Sequence, residues 1–161
     1  MNIIRFFTEY QPPKQLRALF IAHYAPLLLI LLLGPLTALK NIWHIPLPFL
    51  PVIISGLIVF FAGAFLYFKW ERYWHTNYKG QLLTQAIFKH IRHPHYTSLL
   101  IIGYGLALFF YSLACLLIAT IAIPIMICSI IDEEKILLQQ YGQSYQRYMK
   151  QVPWRMIPKL F

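Results

Sequence analysis

The chain has 161 residues, of which 59% are apolar, 17% aromatic and only 12% charged, whereas a water-soluble domain usually carries about 25% charge. A net charge of +9 would suit nucleic acid if the basic residues covered one surface, but residues 18–39, 41–68 and 93–131 contain no Lys, Arg, Asp or Glu. That distribution excludes a large water-soluble core and a nucleic-acid-binding module, and it describes a small integral membrane protein whose first partner is the bilayer. Cys115 and Cys128 both sit inside the third apolar stretch without metal-type spacing, so they read as buried hydrophobes. The N-terminal apolar run is too long for a signal-peptide core and lacks a cleavage pattern.

In chain order, the first predicted transmembrane span covers residues 18–39 and is interrupted by Pro26 and by Gly34-Pro35. A proline-punctuated turn (Pro46, Pro48, Pro51) leads into the second, residues 52–68. A cytoplasmic loop, 69–95, follows. The third apolar stretch, 96–131, would reach ~54 Å as one helix, against a hydrocarbon core of ~30 Å. Broken near Tyr111-Ser112 it becomes a tight hairpin of two spans, 96–111 and 112–131. Residues 132–161 form a cytoplasmic C-terminal cap with an amphipathic helix, in which Glu134, Leu138, Tyr141, Tyr145 and Tyr148 recur at helical spacing. The expected fold is therefore all-α: a single membrane-embedded domain, 1–161, with about four transmembrane helices.

Charge supports that count. With four spans, thirteen basic residues fall on one side and Lys40 alone on the other. Positive charge collects on the cytoplasmic side, so both termini are expected there, at the inner membrane if the source is bacterial. Trp43 marks one interface, and Trp70, Tyr73 and Trp74 the other.

Two polar clusters flank the hairpin. One is Lys89-His90-Ile91-Arg92-His93-Pro94-His95-Tyr96; the other is Asp132-Glu133-Glu134, which holds three of the five acids. A tight hairpin brings its two ends to the same membrane face, and so places these clusters side by side. A glutamate on an aromatic stripe needs a partner, because an unpaired buried carboxylate is expensive; the stripe selects Glu134. His90, His93 and His95 do not form a metal site in this reading, since Pro94 interrupts any helix through them. The G-x-S-x-G elbow and the phosphate-binding glycine loop are both missing.

Arg92-His93-Pro94-His95-Tyr96, preceded by Leu82-Leu83-Thr84 and Phe88, and Glu133-Glu134 with Leu137, Tyr141-Gly142, Tyr145, Tyr148 and Val152-Pro153, resemble the isoprenylcysteine carboxyl methyltransferases and the related small phospholipid methyltransferases. The resemblance runs from about Lys69 to the C-terminus. It implies a membrane methyltransferase that uses S-adenosylmethionine, held at the cytoplasmic face, on a lipid or lipid-like acceptor arriving from the bilayer. It also implies cofactor-contacting roles for Leu82, Leu83, Phe88, His93, Pro94, Tyr96 and Glu133, where the stripe argument adds Glu134. No covalent enzyme nucleophile is required for in-line methyl transfer.

The chain departs from the pattern at three places. Ser98 stands where a glycine follows the motif tyrosine, Ala86 replaces an upstream glycine, and Ser129 replaces the arginine that meets a carboxylate substrate in the prenylcysteine enzymes. That leaves Ser129 and Arg92 as candidates for substrate contact and makes a prenylcysteine a poorer acceptor. Membrane sterol reductases share a similar R-H-P pattern and bind a nicotinamide cofactor, but their motif continues differently after the tyrosine. A non-enzymatic lipid-binding membrane protein is the other alternative. S-adenosylmethionine binding separates the three.

Overall fold

The computed structural model describes residues 14–159, with side chains from His23 onward. Arg5 and the other N-terminal residues counted in the charge argument lie outside that range, as do the side chains of Lys14 and Arg17. All of the described elements are helical. Helix α1 spans Lys14–Lys40, α2 Phe49–Asn77, α3 Pro94–Phe109, α4 Leu113–Tyr141 and α5 Gln143–Gln151, and a single 3-10 turn covers Ala86–Lys89.

The apolar stretches become helices because a backbone in lipid must satisfy its own hydrogen bonds. Helices α1, α2 and α4 are each long and apolar enough to cross a membrane. Their outward faces carry large apolar side chains, among them Leu28, Leu32, Phe61, Phe65, Leu117 and Ile121. Such a surface suits lipid and would be a liability in water. Helix α3 has 16 residues, about 24 Å of rise, and is the most enclosed of the four. It is packed against α1, α2 and α4.

The third apolar stretch divides where expected. Phe110 ends α3, Tyr111 takes a positive φ of 54°, and the Ser112 side chain accepts a hydrogen bond from the Cys115 amide to start α4. Elsewhere the helices outrun the apolar spans. Helix α2 continues from Phe68 to Asn77, and α4 from Ile131 to Tyr141. The apolar pattern marks where lipid ends, whereas the helix continues as long as its polar residues form turns and find packing partners. The stripe from Glu134 to Tyr148 is not one helix, because Gly142 adopts φ 51°, ψ −124° and separates α4 from α5.

Helices α2 and α3 make the closest pairing. A Cβ on Gly56 would stand 2.5 Å from the Phe109 backbone nitrogen, and Gly105 meets the Phe60 backbone in the same way. Small residues let backbones approach in membranes, where packing replaces the hydrophobic drive between helices.

The two ends of the bundle differ. At one, the α1–α2 turn is tied to the hairpin turn: Leu113 donates its amide to the Trp43 carbonyl at 2.8 Å, Ile45 to Tyr111 at 3.3 Å, and Thr37 Oγ1 donates to Ser112 Oγ at 3.0 Å. At the other, the loop before α3, the end of α4, α5 and the C-terminal segment converge. The two polar clusters of the sequence meet there.

Candidate functional site at the polar rim

Pro94 opens α3, where its missing N–H costs nothing, and so places His93 just outside the helix and Arg92 before it. The segment after α5 runs back over this corner. Arg92 donates its amide to the Trp154 carbonyl at 2.9 Å, His93 to Arg155 at 2.8 Å, and Thr97 Oγ1 donates to the Met156 carbonyl at 2.8 Å. Pro153 lets the chain leave α5 and make this return.

The two glutamates occupy different environments. Glu134 is 4% exposed and is surrounded by cations. Arg92 donates Nε and a terminal nitrogen to its Oε1 at 2.8 and 2.6 Å, Arg155 reaches its Oε2 at 3.0 Å, and His93 Nε2 stands 3.3 Å from its Oε1. Arg92 also donates to the Val152 carbonyl at 2.6 Å, which welds the C-terminal segment to the ion cluster. Glu133, whose side chain is 31% exposed, lies 3.5 Å from His93 Nδ1 and close to the Tyr96 side chain. Burial pushes His93 toward its neutral form, but hydrogen bonds to Glu133 and Glu134 outweigh it and raise its pKa above the ordinary value. That direction favours the protonated imidazole between the two carboxylates.

Glu133 opens onto a cleft at the rim of the bundle. Leu82, Leu83, Phe88, Arg92, His93 and Glu133 all line it, so the structure gathers most of the residues singled out in the sequence. Four others stand elsewhere. Pro94 is buried at the start of α3, Tyr96 lies behind Glu133, Glu134 is enclosed in its ion cluster, and the Ser129 hydroxyl donates to the Ile125 carbonyl inside α4 at 3.0 Å.

The cleft has walls that the site reading did not name. Trp74 and Tyr78 stack at 4.2 Å, 16° from parallel, and line one side. Tyr141, Tyr145 and Tyr148 line the other. The Tyr145 hydroxyl is buried and has no hydrogen-bond partner among the described residues, although Tyr145 itself is 1% exposed. The i, i+4 spacing of Trp74 and Tyr78, at and just past the end of α2, carries the signal, and the interface belt accounts for Trp74 alone.

Such a site suits a cationic ligand with polar groups: a partly exposed carboxylate, aromatic faces, and one buried hydroxyl with bonding capacity to spare. Among the described residues no three His, Cys, Asp or Glu side chains converge as metal ligands.

A helical membrane protein with an aromatic, carboxylate-bearing cleft at one rim is the class that fold and site define. A model of the phospholipid methyltransferase family matches residues 52–144, more than half of the sequence, and the chain belongs to that family. The matched region runs from near the start of α2 through the first motif and the Glu133-Glu134 to Gly142 part of the second, and ends just before Tyr145. It makes this protein a membrane methyltransferase. A comparison with curated proteins finds no match.

Proposed function

We propose that this protein transfers a methyl group from S-adenosylmethionine to the amine head group of a phospholipid that reaches the rim from the bilayer. The observation that carries the reading is the cleft beside Glu133, whose carboxylate and aromatic walls suit that cofactor. Bound there, S-adenosylmethionine would supply a methyl group already activated as a sulfonium. Glu133 compensates the cationic charge, and His93 and Tyr96 hold the carboxylate in place. The paired faces of Trp74 and Tyr78 receive a flat ring or a cation, and the Tyr145 hydroxyl supplies a donor or acceptor. Leu82, Leu83, Phe88 and Leu137 keep the reacting region dry, which strengthens every electrostatic contact inside it. An amine acceptor agrees with Ser129, which offers no cation to a carboxylate substrate.

The test is titration of S-adenosylmethionine into detergent-purified parent, Glu133→Gln and Glu134→Gln proteins, with thermal unfolding followed in parallel. Glu133→Gln keeps volume and removes a charge-assisted contact of ~1.5–3 kcal/mol, so cofactor affinity should drop about 10- to 150-fold with little change in melting. Glu134→Gln leaves the buried Arg92 guanidinium without its anion, and removing one partner of a buried pair costs ~3–5 kcal/mol. It should therefore unfold at distinctly lower temperature. A well-folded parent that binds no S-adenosylmethionine would refute the proposal.

A further inference from the structure

Behind Glu133, on the membrane side of the cleft, lies a second set of ionisable groups that the cofactor site does not use. His95 occupies the variable position of the R-H-P-x-Y motif and is 8% exposed. Its Nε2 is 3.3 Å from the Tyr24 hydroxyl of α1, which is 3.2 Å from the Tyr67 hydroxyl of α2. Tyr67 lies close enough to Glu71 for the two to interact electrostatically, and Glu71 Oε1 is 2.7 Å from His75 Nε2. Glu71 and His75 side chains are 36% and 35% exposed. Hydrogen bonds thus lead from a buried imidazole through Tyr24 to Tyr67, and Glu71 stands between Tyr67 and the surface.

The carboxylate at its outer end sets the polarity. A carboxylate accepts hydrogen bonds, so the polarity that leads outward has the Tyr67 hydroxyl directed toward Glu71. Tyr67 oxygen then accepts from Tyr24, and Tyr24 oxygen accepts from His95 Nε2–H. That tautomer leaves the lone pair of His95 Nδ1 bare, and Nδ1 is buried with no hydrogen-bond partner among the described residues. The Trp70 ring stands 4.3 Å from the imidazole and Tyr67 5.6 Å. These aromatic faces are of the kind that accommodate an ammonium group. Tyr96, 5.6 Å from His95, links this cluster to Glu133 and the cleft.

From this geometry we infer that His95, Tyr24, Tyr67 and Glu71 form a proton-exit relay that drains the acceptor amine during methyl transfer. The inference rests on the methyltransferase reading. A primary alkylammonium has a pKa near that of lysine, about 10.4, and at neutral pH it lacks the lone pair needed for attack. Its proton passes to His95 Nδ1, while the Nε2 proton passes to Tyr24, then Tyr67, then Glu71 and water. The freed nitrogen lone pair forms the N–C bond as the S–C bond breaks, and that electron pair remains on sulfur as a neutral thioether. Each transfer to a protonated amine therefore releases one proton, and the relay carries it off. A carboxylate acceptor, ionised already, would have no use for it.

The charged and titratable groups facing His95 are His23 and Tyr24 from α1, Tyr67 from α2, His93 and Tyr96 beside it, and Glu133 from α4.

The experiment uses the full chain in nanodiscs containing phosphatidylethanolamine, and measures S-adenosylmethionine affinity and single-turnover methyl transfer separately. His95→Gln, Tyr67→Phe and Glu71→Gln should keep the parent's cofactor affinity. His95→Gln should slow transfer at least about 100-fold at neutral pH, the scale of a lost general base. Tyr67→Phe and Glu71→Gln should slow it less. All three deficits should shrink as pH rises toward about 10, where the lipid amine loses its proton unaided. Parent-like transfer in the variants, or a loss equal at every pH, would overturn the relay, since a merely structural role gives no recovery with pH. Should His95→Gln fail to fold, Glu71→Gln at the exposed end carries the same test. A parent that binds the cofactor but methylates only a carboxylate or thiol lipid overturns the relay and leaves a methyltransferase. One that binds no cofactor overturns both.

Discussion

Ala86 shows how one side chain can oppose the backbone beneath it. It adopts φ 55° at the start of the 3-10 turn that delivers Phe88 to the cleft. An L-residue with a Cβ in that region is strained by about 1–2 kcal/mol, whereas glycine visits it freely. The family resemblance leads one to expect a glycine there, and the dihedral angle supplies the reason. Ala86 is exposed, so Ala86→Gly sacrifices no buried surface. It also loosens the unfolded chain, which offsets up to ~1 kcal/mol of the gain. The net expectation is a small rise in melting temperature with unchanged cofactor affinity, read by thermal unfolding in detergent. A lower melting temperature would show that the left-handed conformation is not what constrains this position.

At the scale of elements, the α2–α3 pair is the most sensitive to volume. Its backbones touch at Gly56 and Gly105, where an added Cβ meets backbone atoms that cannot turn aside. Overpacking of this kind costs ~1–3 kcal/mol. Gly56→Ala should therefore lower the melting temperature, whereas Gly103→Ala, with its nearest neighbour 3.6 Å away at an Ile30 methyl, should be tolerated. Comparison of the two by thermal unfolding checks the claim, and equal effects would contradict it. The hairpin itself was legible, because a 36-residue apolar run cannot be one spanning helix and Ser112 is a ready cap. The break at Gly142 was not. Helical spacing continues unbroken through it, and only the backbone's positive φ reveals the turn. For the same reason the stripe argument pointed to Glu134, although the cleft is lined by Glu133. Spacing along one helix says nothing of Arg155, which returns from beyond Pro153 to enclose Glu134. The partners of His95 were equally hidden, since Tyr24 and Tyr67 reach it from two other helices.

At the scale of the whole molecule, the bundle sorts its polar groups by end. The α1–α2 turn and the hairpin turn share one end, fastened by Trp43–Leu113, Ile45–Tyr111 and Thr37–Ser112. The ion cluster, the cleft and the C-terminal segment share the other. Four helices running alternately between those ends would put residue 40 and residue 159 on opposite faces of a bilayer. The basic residues fall the same way, with Lys40 alone at the turn end, so the cleft end is expected to face the cytoplasm. Helix α3 is the demanding member. Its ~24 Å of rise falls short of a ~30 Å core, and a short span is met by local thinning or by polar flanks reaching outward. Enclosure by α1, α2 and α4 spares most of α3 from meeting lipid directly. The prediction is that reporters fused after Lys40 and after Lys159 give opposite signals, with Lys159 cytoplasmic. If α3 were instead re-entrant, entering and leaving at the cleft face, three crossings would remain. The relation between α1 and α2 would persist, but the start of α4 would move to the cleft side. A cysteine introduced at Leu113, beside the hairpin turn, distinguishes the cases in a Cys115→Ala, Cys128→Ala background. Labelling by a membrane-impermeant maleimide from the Lys40 side supports four crossings, and labelling from the cytoplasmic side requires three.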